Sequence, residues 1–228
     1  GDHRDLHTAY RRQRQMCIRD RSGRVLKTPV LLGKGMQKGE PSWWNEAITY
    51  FQDDEIMSAC IETYGTDGLK GKGDLFYTIV RSIVGQQISV IAAESIWNRF
   101  ETMVGQVTPE QVRQFTKEEI ASCGITRPKS GYILGLANDS EELLNFPYST
   151  STEPEVRKHL IQFKGVGPWT AEMVMIFALL LPDVYSPKDI GLVNGIKRLF
   201  PEVETMDCLL YTSDAADDMQ CVDLGGRR

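Results

Sequence analysis

Leu160-Ile161-Gln162-Phe163-Lys164-Gly165-Val166-Gly167-Pro168-Trp169-Thr170-Ala171 is the stretch on which the reading of the fold turns. Upstream of it, Thr152 followed three residues later by Glu155 has the pattern of a reciprocal helix N-cap, so a helix is predicted from there to about Phe163. Gly165 and Gly167 then supply a tight turn in which both residues can take positive φ. Pro168 restarts a helix at once, because its missing N–H costs nothing at a first helical position. Two helices joined by a hairpin are therefore expected over residues 155–180, with amides facing outward at a helix N-terminus. That geometry suits an anionic oxygen and grips a phosphate backbone without reading bases. A G-x-G before a helix is also compatible with a plain connection that binds nothing.

Outward from the hairpin, helical patterns dominate from about residue 43 to about residue 200, and alternating strand patterns are nearly absent. Phe76, Ile79, Val80, Ile83 and Val84 have the spacing of one buried helical face, which stops at Gly85. A second apolar series through Ile88, Ile91, Ile96, Trp97 and Phe100 restarts it, with Ser89 as N-cap. Thr108-Pro109-Glu110-Gln111 and Thr116-Lys117-Glu118-Glu119 repeat the reciprocal cap pattern seen at Thr152. The expectation is an all-α protein of many short helices, in which Trp43 and Trp44 read better as core packing than as residues reaching a binding pocket.

Composition limits what such a protein can do. A chain of 228 residues can bury one substantial core or two small lobes. Its net charge of −5 argues against holding nucleic acid through a general basic surface, so any DNA binding must be local. Five scattered cysteines with no C-x-x-C pair are expected to be free thiols, and they offer no metal-ligand spacing. The longest apolar run, Met173 to Pro182, is too short to span a bilayer. An intracellular protein without a membrane partner is expected.

The ends do not share the helical pattern. Residues 1–24 hold seven arginines without an apolar stripe, and residues 208–228 run into Gly225-Gly226-Arg227-Arg228 without a period. A basic arm and a frayed tail are two readings. Both strings also resemble translated sequencing-adapter read-through, so the expectation is that they are non-native or disordered.

Lys164-Gly165-Val166-Gly167-Pro168-Trp169-Thr170-Ala171 resembles the helix-hairpin-helix of the DNA glycosylase superfamily, in particular its 3-methyladenine DNA glycosylase II branch. The resemblance covers residues 38–206. It implies two helical lobes flanking a cleft, with no match here for the family's last helices. It further implies that Gly165, Val166, Gly167 and Thr170 hold a DNA phosphate, and that the carbonyls of Ile161, Phe163 and Val166 hold a Na or K ion. The resemblance also implies that no cofactor is required and that the protein acts as a monomer on double-stranded DNA carrying damaged bases, in the cytoplasm at the nucleoid if bacterial and in the nucleus if eukaryotic.

The same resemblance assigns the reaction. Tyr185-Ser186-Pro187-Lys188-Asp189-Ile190-Gly191-Leu192 precedes a helix through Ile196 and Leu199. By position alone Asp189 is an N-cap worth ~1 kcal/mol. In the family's pattern it matches the essential aspartate, which stabilises positive charge on the sugar as an N-glycosidic bond breaks and can orient water. Trp169 stands where lyase relatives carry a Schiff-base lysine, which implies a monofunctional hydrolase. Trp169 and Met173, one turn later, are implied to line the pocket for a flipped, alkylated purine. In Arg81-Ser82-Ile83-Val84-Gly85-Gln86-Gln87-Ile88-Ser89, Gln86 or Gln87 is implied to face the gap left by that base. Gly124-Ile125-Thr126-Arg127-Pro128-Lys129-Ser130-Gly131-Tyr132 resembles the wedge loop: Arg127 matches the inserting position, where intercalation and phosphate pairing both stay open, and Lys129 is implied to contact DNA. Excision of another lesion, an oxidised purine or uracil, and DNA binding without catalysis remain as alternatives.

Overall fold

The computed structural model describes residues 38–182 and 184–199. The terminal segments 1–24 and 208–228, with Cys17, Cys208 and Cys221, lie outside these residues. Among the described residues Cys60 and Cys123 are free thiols. By its contacts the chain falls into two compact units, one holding the described residues up to Val184 and the other holding described residues 185–199.

Ten helices of the first unit are described: α1 (Trp44–Phe51), α2 (Glu55–Tyr64), α3 (Leu75–Gly85), α4 (Val90–Val104), α5 (Pro109–Val112), α6 (Lys117–Ser122), α7 (Arg127–Asn138), α8 (Ser140–Asn145), α9 (Glu153–Leu160) and α10 (Pro168–Phe177). A two-residue antiparallel pair, β1 (Lys38–Gly39) with β2 (Gly71–Lys72), is the described strand structure. In the second unit α11 spans Ile190–Leu199. The all-α expectation is met. No helix among the described residues is long and apolar enough to cross a membrane.

α3 is the central element of the first unit. Asp74 caps it, its carboxylate accepting the Tyr77 N–H at 2.9 Å. Its predicted stripe is the core: Phe76, Ile79, Val80, Ile83 and Val84 are all buried. α10 packs on α3, burying Ala171, Val174 and Met175. Each such aliphatic side chain contributes roughly 1.5–3 kcal/mol by leaving water, which is why these two helices anchor everything between them.

Several start signals act as expected. Ser89 Oγ accepts the Ala92 N–H at 3.3 Å, and Thr116 and Thr152 form complete capping boxes with Glu119 and Glu155. Thr108 caps α5 one way only, accepting from the Gln111 N–H at 3.3 Å. The second apolar series is half wrong as a core stripe. Trp97 and Phe100 are buried, but Ile88 and Ile91 are exposed, as is Val90. They occupy the turn before α4 and its first turn, so a helical period alone overreaches there. Trp43 and Trp44 are half-buried. Their indole N–H groups donate to Leu180 O at 2.8 Å and Thr66 O at 3.0 Å.

α9 carries a buried histidine whose pH response can be derived. His159 stacks on Phe146 with ring centroids 4.0 Å apart, and meets Tyr148 and Phe163 edge-on. Burial holds its pKa below the ordinary value, outweighing the opposing pull of Glu142. The unfolded chain therefore takes up this proton at a higher pH than the folded one, so stability falls as pH drops below about 6.5. Melting temperature should decline between pH 7 and pH 5, and His159→Phe should flatten that slope. An unchanged slope in the variant would assign the decline to other groups.

Candidate functional site

The hairpin is built by α9, a seven-residue turn and α10. α9 ends at Leu160, three residues short of the predicted Phe163, because the chain tightens there: the Gln162 and Phe163 N–H groups reach back only three residues, to His159 O and Leu160 O. The Val166 N–H then closes the turn on Phe163 O at 3.0 Å. Arg157 braces the two helices, its guanidinium donating to Glu153 Oε1 of α9 and, at 2.6 Å, to the buried Glu172 Oε1 of α10. An ion pair this far out of water is costly to leave half-made, so it fixes the helix pair in one arrangement.

The two glycines differ in what they do. Gly165 has φ +91, and a Cβ there would lie 2.5 Å from the Tyr132 ring, so both backbone and packing demand glycine. Gly167 has φ −91 and serves as N-cap of α10, with no atom within 4 Å of a Cβ placed on it. The expected positive φ is thus used at Gly165 only. Nothing among the described residues requires a glycine at 167. The N–H groups of Gly165 and Gly167 have no acceptor among the described residues.

Trp169 is half-buried in the first turn of α10, and Met173 follows one turn later, almost fully buried. Val166 is buried beneath the turn. Thr170 is buried too, and its hydroxyl accepts from Gln86 Nε2 at 2.9 Å. Of the three carbonyls proposed for a cation, that of Phe163 already accepts one N–H and retains a second lone pair. The Gly165 carbonyl is taken by Gln86 Nε2 at 2.9 Å.

The two glutamines after α3 have separate fates. Gln86 turns its amide inward onto the hairpin, as just described. Gln87 is exposed with φ +59, one of two non-glycine residues with positive φ among those described, the other being Leu180. Its side chain has no partner among the described residues. Backbone strain of this kind persists only where the surroundings impose it. Arg127 opens α7, exposed, its guanidinium likewise without a partner among the described residues. Lys129, the other residue assigned to DNA, is engaged within the protein. Its ammonium donates to Val84 O at 3.0 Å and Gln86 O at 2.6 Å, and burial pushes its pKa down. Neither Gln86 nor Lys129 could be assigned an internal role from sequence, since each bonds to groups at least 43 residues away.

Asp189 lies in the second unit, at the start of α11. Its Oδ1 accepts the Leu192 N–H at 2.9 Å and its carbonyl accepts the Val193 N–H at 2.9 Å, so the N-cap reading holds. A Cβ at Gly191 would come within 3.1 Å of that same Oδ1. Glycine at 191 therefore gives the carboxylate its room. Among the described residues no cluster of His, Cys, Asp and Glu could hold a metal ion.

These features agree with what the chain resembles. It is 32% identical over 148 residues to the DNA-3-methyladenine glycosylase of Saccharomyces cerevisiae, covering 58% of this chain and 49% of that protein. The chain thus spans about half the length of that curated relative. The Schizosaccharomyces pombe 3-methyladenine DNA glycosylase Mag1 in complex with abasic DNA superposes with a TM-score of 0.66 at 26% identity, covering 75% of this chain and 89% of that one. A DNA-3-methyladenine glycosidase from Bacillus halodurans superposes with a TM-score of 0.60 at 33% identity, covering 78% and 84%. Residues 80–207, more than half of the chain and inclusive of the hairpin, Trp169 and Asp189, match the family described as HhH-GPD superfamily base excision DNA repair protein, and the chain belongs to that superfamily.

Proposed function

We propose that this protein is a monofunctional DNA N-glycosylase that hydrolyses the glycosidic bond of alkylated purines of the 3-methyladenine type. The observation that carries the reading is the entry into α10. Two glycine amides without acceptors among the described residues, one at a position where no described residue calls for glycine, are followed across Pro168 by Trp169 in place of a lysine. The amides at a helix N-terminus suit a phosphate oxygen. Trp169 cannot form a Schiff base, and with Met173 it offers a polarizable wall for a flipped, electron-poor purine.

In this reading the hairpin holds the duplex backbone, with a Na or K ion on the carbonyls of Ile161, Phe163 and Val166. Arg127 adds a phosphate or wedge contact, and the strained, exposed Gln87 stands in the space vacated by the extruded base. Asp189 stabilises the sugar as the C–N bond lengthens and positive charge develops there, and water completes the hydrolysis. An alkylated purine is already a good leaving group, so one carboxylate suffices.

Base release from duplexes carrying single 7-methylguanine, hypoxanthine, 8-oxoguanine or uracil residues tests the proposal. Release of the alkylated purine is expected, with product strands intact until alkaline heating and no complex trapped by borohydride. Release of 8-oxoguanine or uracil alone would assign another lesion. Binding without any release would make this a DNA-binding module, and efficient trapping would restore a lyase.

A further inference from the structure

We propose that Lys129 is a positioning residue that holds the Gln86–Gln87 turn in shape and, through Gln86, ties it to the phosphate-binding hairpin. The inference rests on the glycosylase reading for what the turn does, and on the geometry for how the turn is held. The last turn of α3 leaves carbonyls with no partner inside the helix. Lys129 Nζ takes two oxygens there, Val84 O and Gln86 O. The second belongs to the peptide that joins Gln86 to Gln87. Because a peptide is planar, fixing its oxygen fixes the plane from which the Gln87 backbone departs. Gln87 leaves it with φ +59, which a residue with a side chain rarely adopts.

The turn is also tethered from its other side. Gln86 Nε2 donates to Gly165 O and to Thr170 Oγ1, at 2.9 Å each, 79 and 84 residues along the chain. α7 therefore bears on both elements, with Lys129 on the glutamine turn and Tyr132, nearly one helical turn later, against Gly165. A hydrocarbon stem alone would not do this, since the ammonium supplies the donors that the two carbonyls need. Burial holds the Lys129 pKa below that of a solvated lysine, as expected of an ammonium committed to the interior. A solvated lysine would instead be available to any phosphate nearby.

A double-mutant cycle on the full chain distinguishes positioning from scaffolding. Lys129→Met, Gln87→Ala and the double variant are compared for single-turnover release of 7-methylguanine. Their affinities are compared for a duplex with a tetrahydrofuran abasic analogue and for the undamaged duplex. Lys129→Met should slow release and weaken abasic-duplex binding by about 10- to 100-fold, the scale of a misplaced contact, with less than about a twofold change on undamaged DNA. Lys129→Arg, which retains donors, should recover much of the loss. The double variant should be no worse than the poorer single variant, because Lys129 acts through Gln87. If Lys129→Met fails to fold, Lys129→Gln, which keeps an amide donor, enters the same cycle. Additive losses, or equal weakening on damaged and undamaged DNA, overturn the proposal. If the wild-type chain releases no base but the coupling appears in abasic-duplex binding, the glycosylase reading fails and the positioning role stands.

Discussion

Asp189→Asn should lower release of an alkylated purine by about 100- to 1000-fold, the scale of losing one preorganised electrostatic group, while leaving the fold nearly untouched. The substitution separates the two roles of this side chain. As N-cap of α11, Asp189 accepts the Leu192 N–H, and asparagine serves that purpose as well as aspartate. What asparagine lacks is the charge. The lost interaction with the helix's positive end amounts to about 0.3–1 kcal/mol, so the melting temperature should fall by only a few degrees. Asp189→Ala should lose the cap as well, for ~1 kcal/mol more, with no further loss of rate. Affinity for an abasic-site duplex should persist in Asp189→Asn. Gly191→Ala offers a control, because its Cβ presses on the same carboxylate oxygen from 3.1 Å and should slow release without removing the charge. Near wild-type release by Asp189→Asn would leave the residue as a cap and nothing else.

Much of this fold was legible because short-range chemistry writes it. The stripe from Phe76 to Val84 is a helical period and proves to be the core, and the boxes at Thr116 and Thr152 are four-residue patterns that close as written. Where the reading depended on which way an element faces, it faltered. Ile88 and Ile91 continue an apolar period onto the exposed turn before α4 and its first turn. Period reports a face and cannot report whether anything covers it. The hairpin was found at its right place, yet with its first helix three residues too long, since terminal turns tighten and fray without a sequence mark. The site was legible as residue types at family positions, and less so as partnerships. Lys129 and Gln86 are assigned to DNA by the family resemblance, and the internal bonds they also make are not visible in the sequence. Their carbonyl and hydroxyl partners belong to other segments, and such long-range pairings leave no local pattern.

The sharpest test of the DNA reading lies in the two hairpin glycines, which sequence treats alike and structure separates. Gly165→Ala places a Cβ at φ +91 and 2.5 Å from the Tyr132 ring. Strain of roughly 1–3 kcal/mol and overpacking of similar size should lower the melting temperature by roughly 5–15 °C, whatever the DNA does. Gly167→Ala meets no such obstacle. Its φ of −91 is ordinary and no atom lies within 4 Å of the new Cβ. The reduced freedom of the unfolded chain contributes ~0.4–1 kcal/mol of stability, and the poorer N-cap takes back a similar amount. The melting temperature should therefore stay within about 2 °C. The methyl would instead stand where a phosphate must approach the Gly167 N–H. A charge-assisted hydrogen bond of about 1.5–3 kcal/mol is at stake, so affinity should fall roughly 10- to 100-fold, equally for damaged and undamaged duplexes. Replacing K+ by tetramethylammonium at fixed ionic strength should weaken the wild-type protein in the same sequence-blind way if an ion seats on the hairpin carbonyls. A stable Gly167→Ala protein that binds duplex DNA as tightly as wild type would show that the outward glycine faces no phosphate, and the hairpin would be a plain connection between α9 and α10.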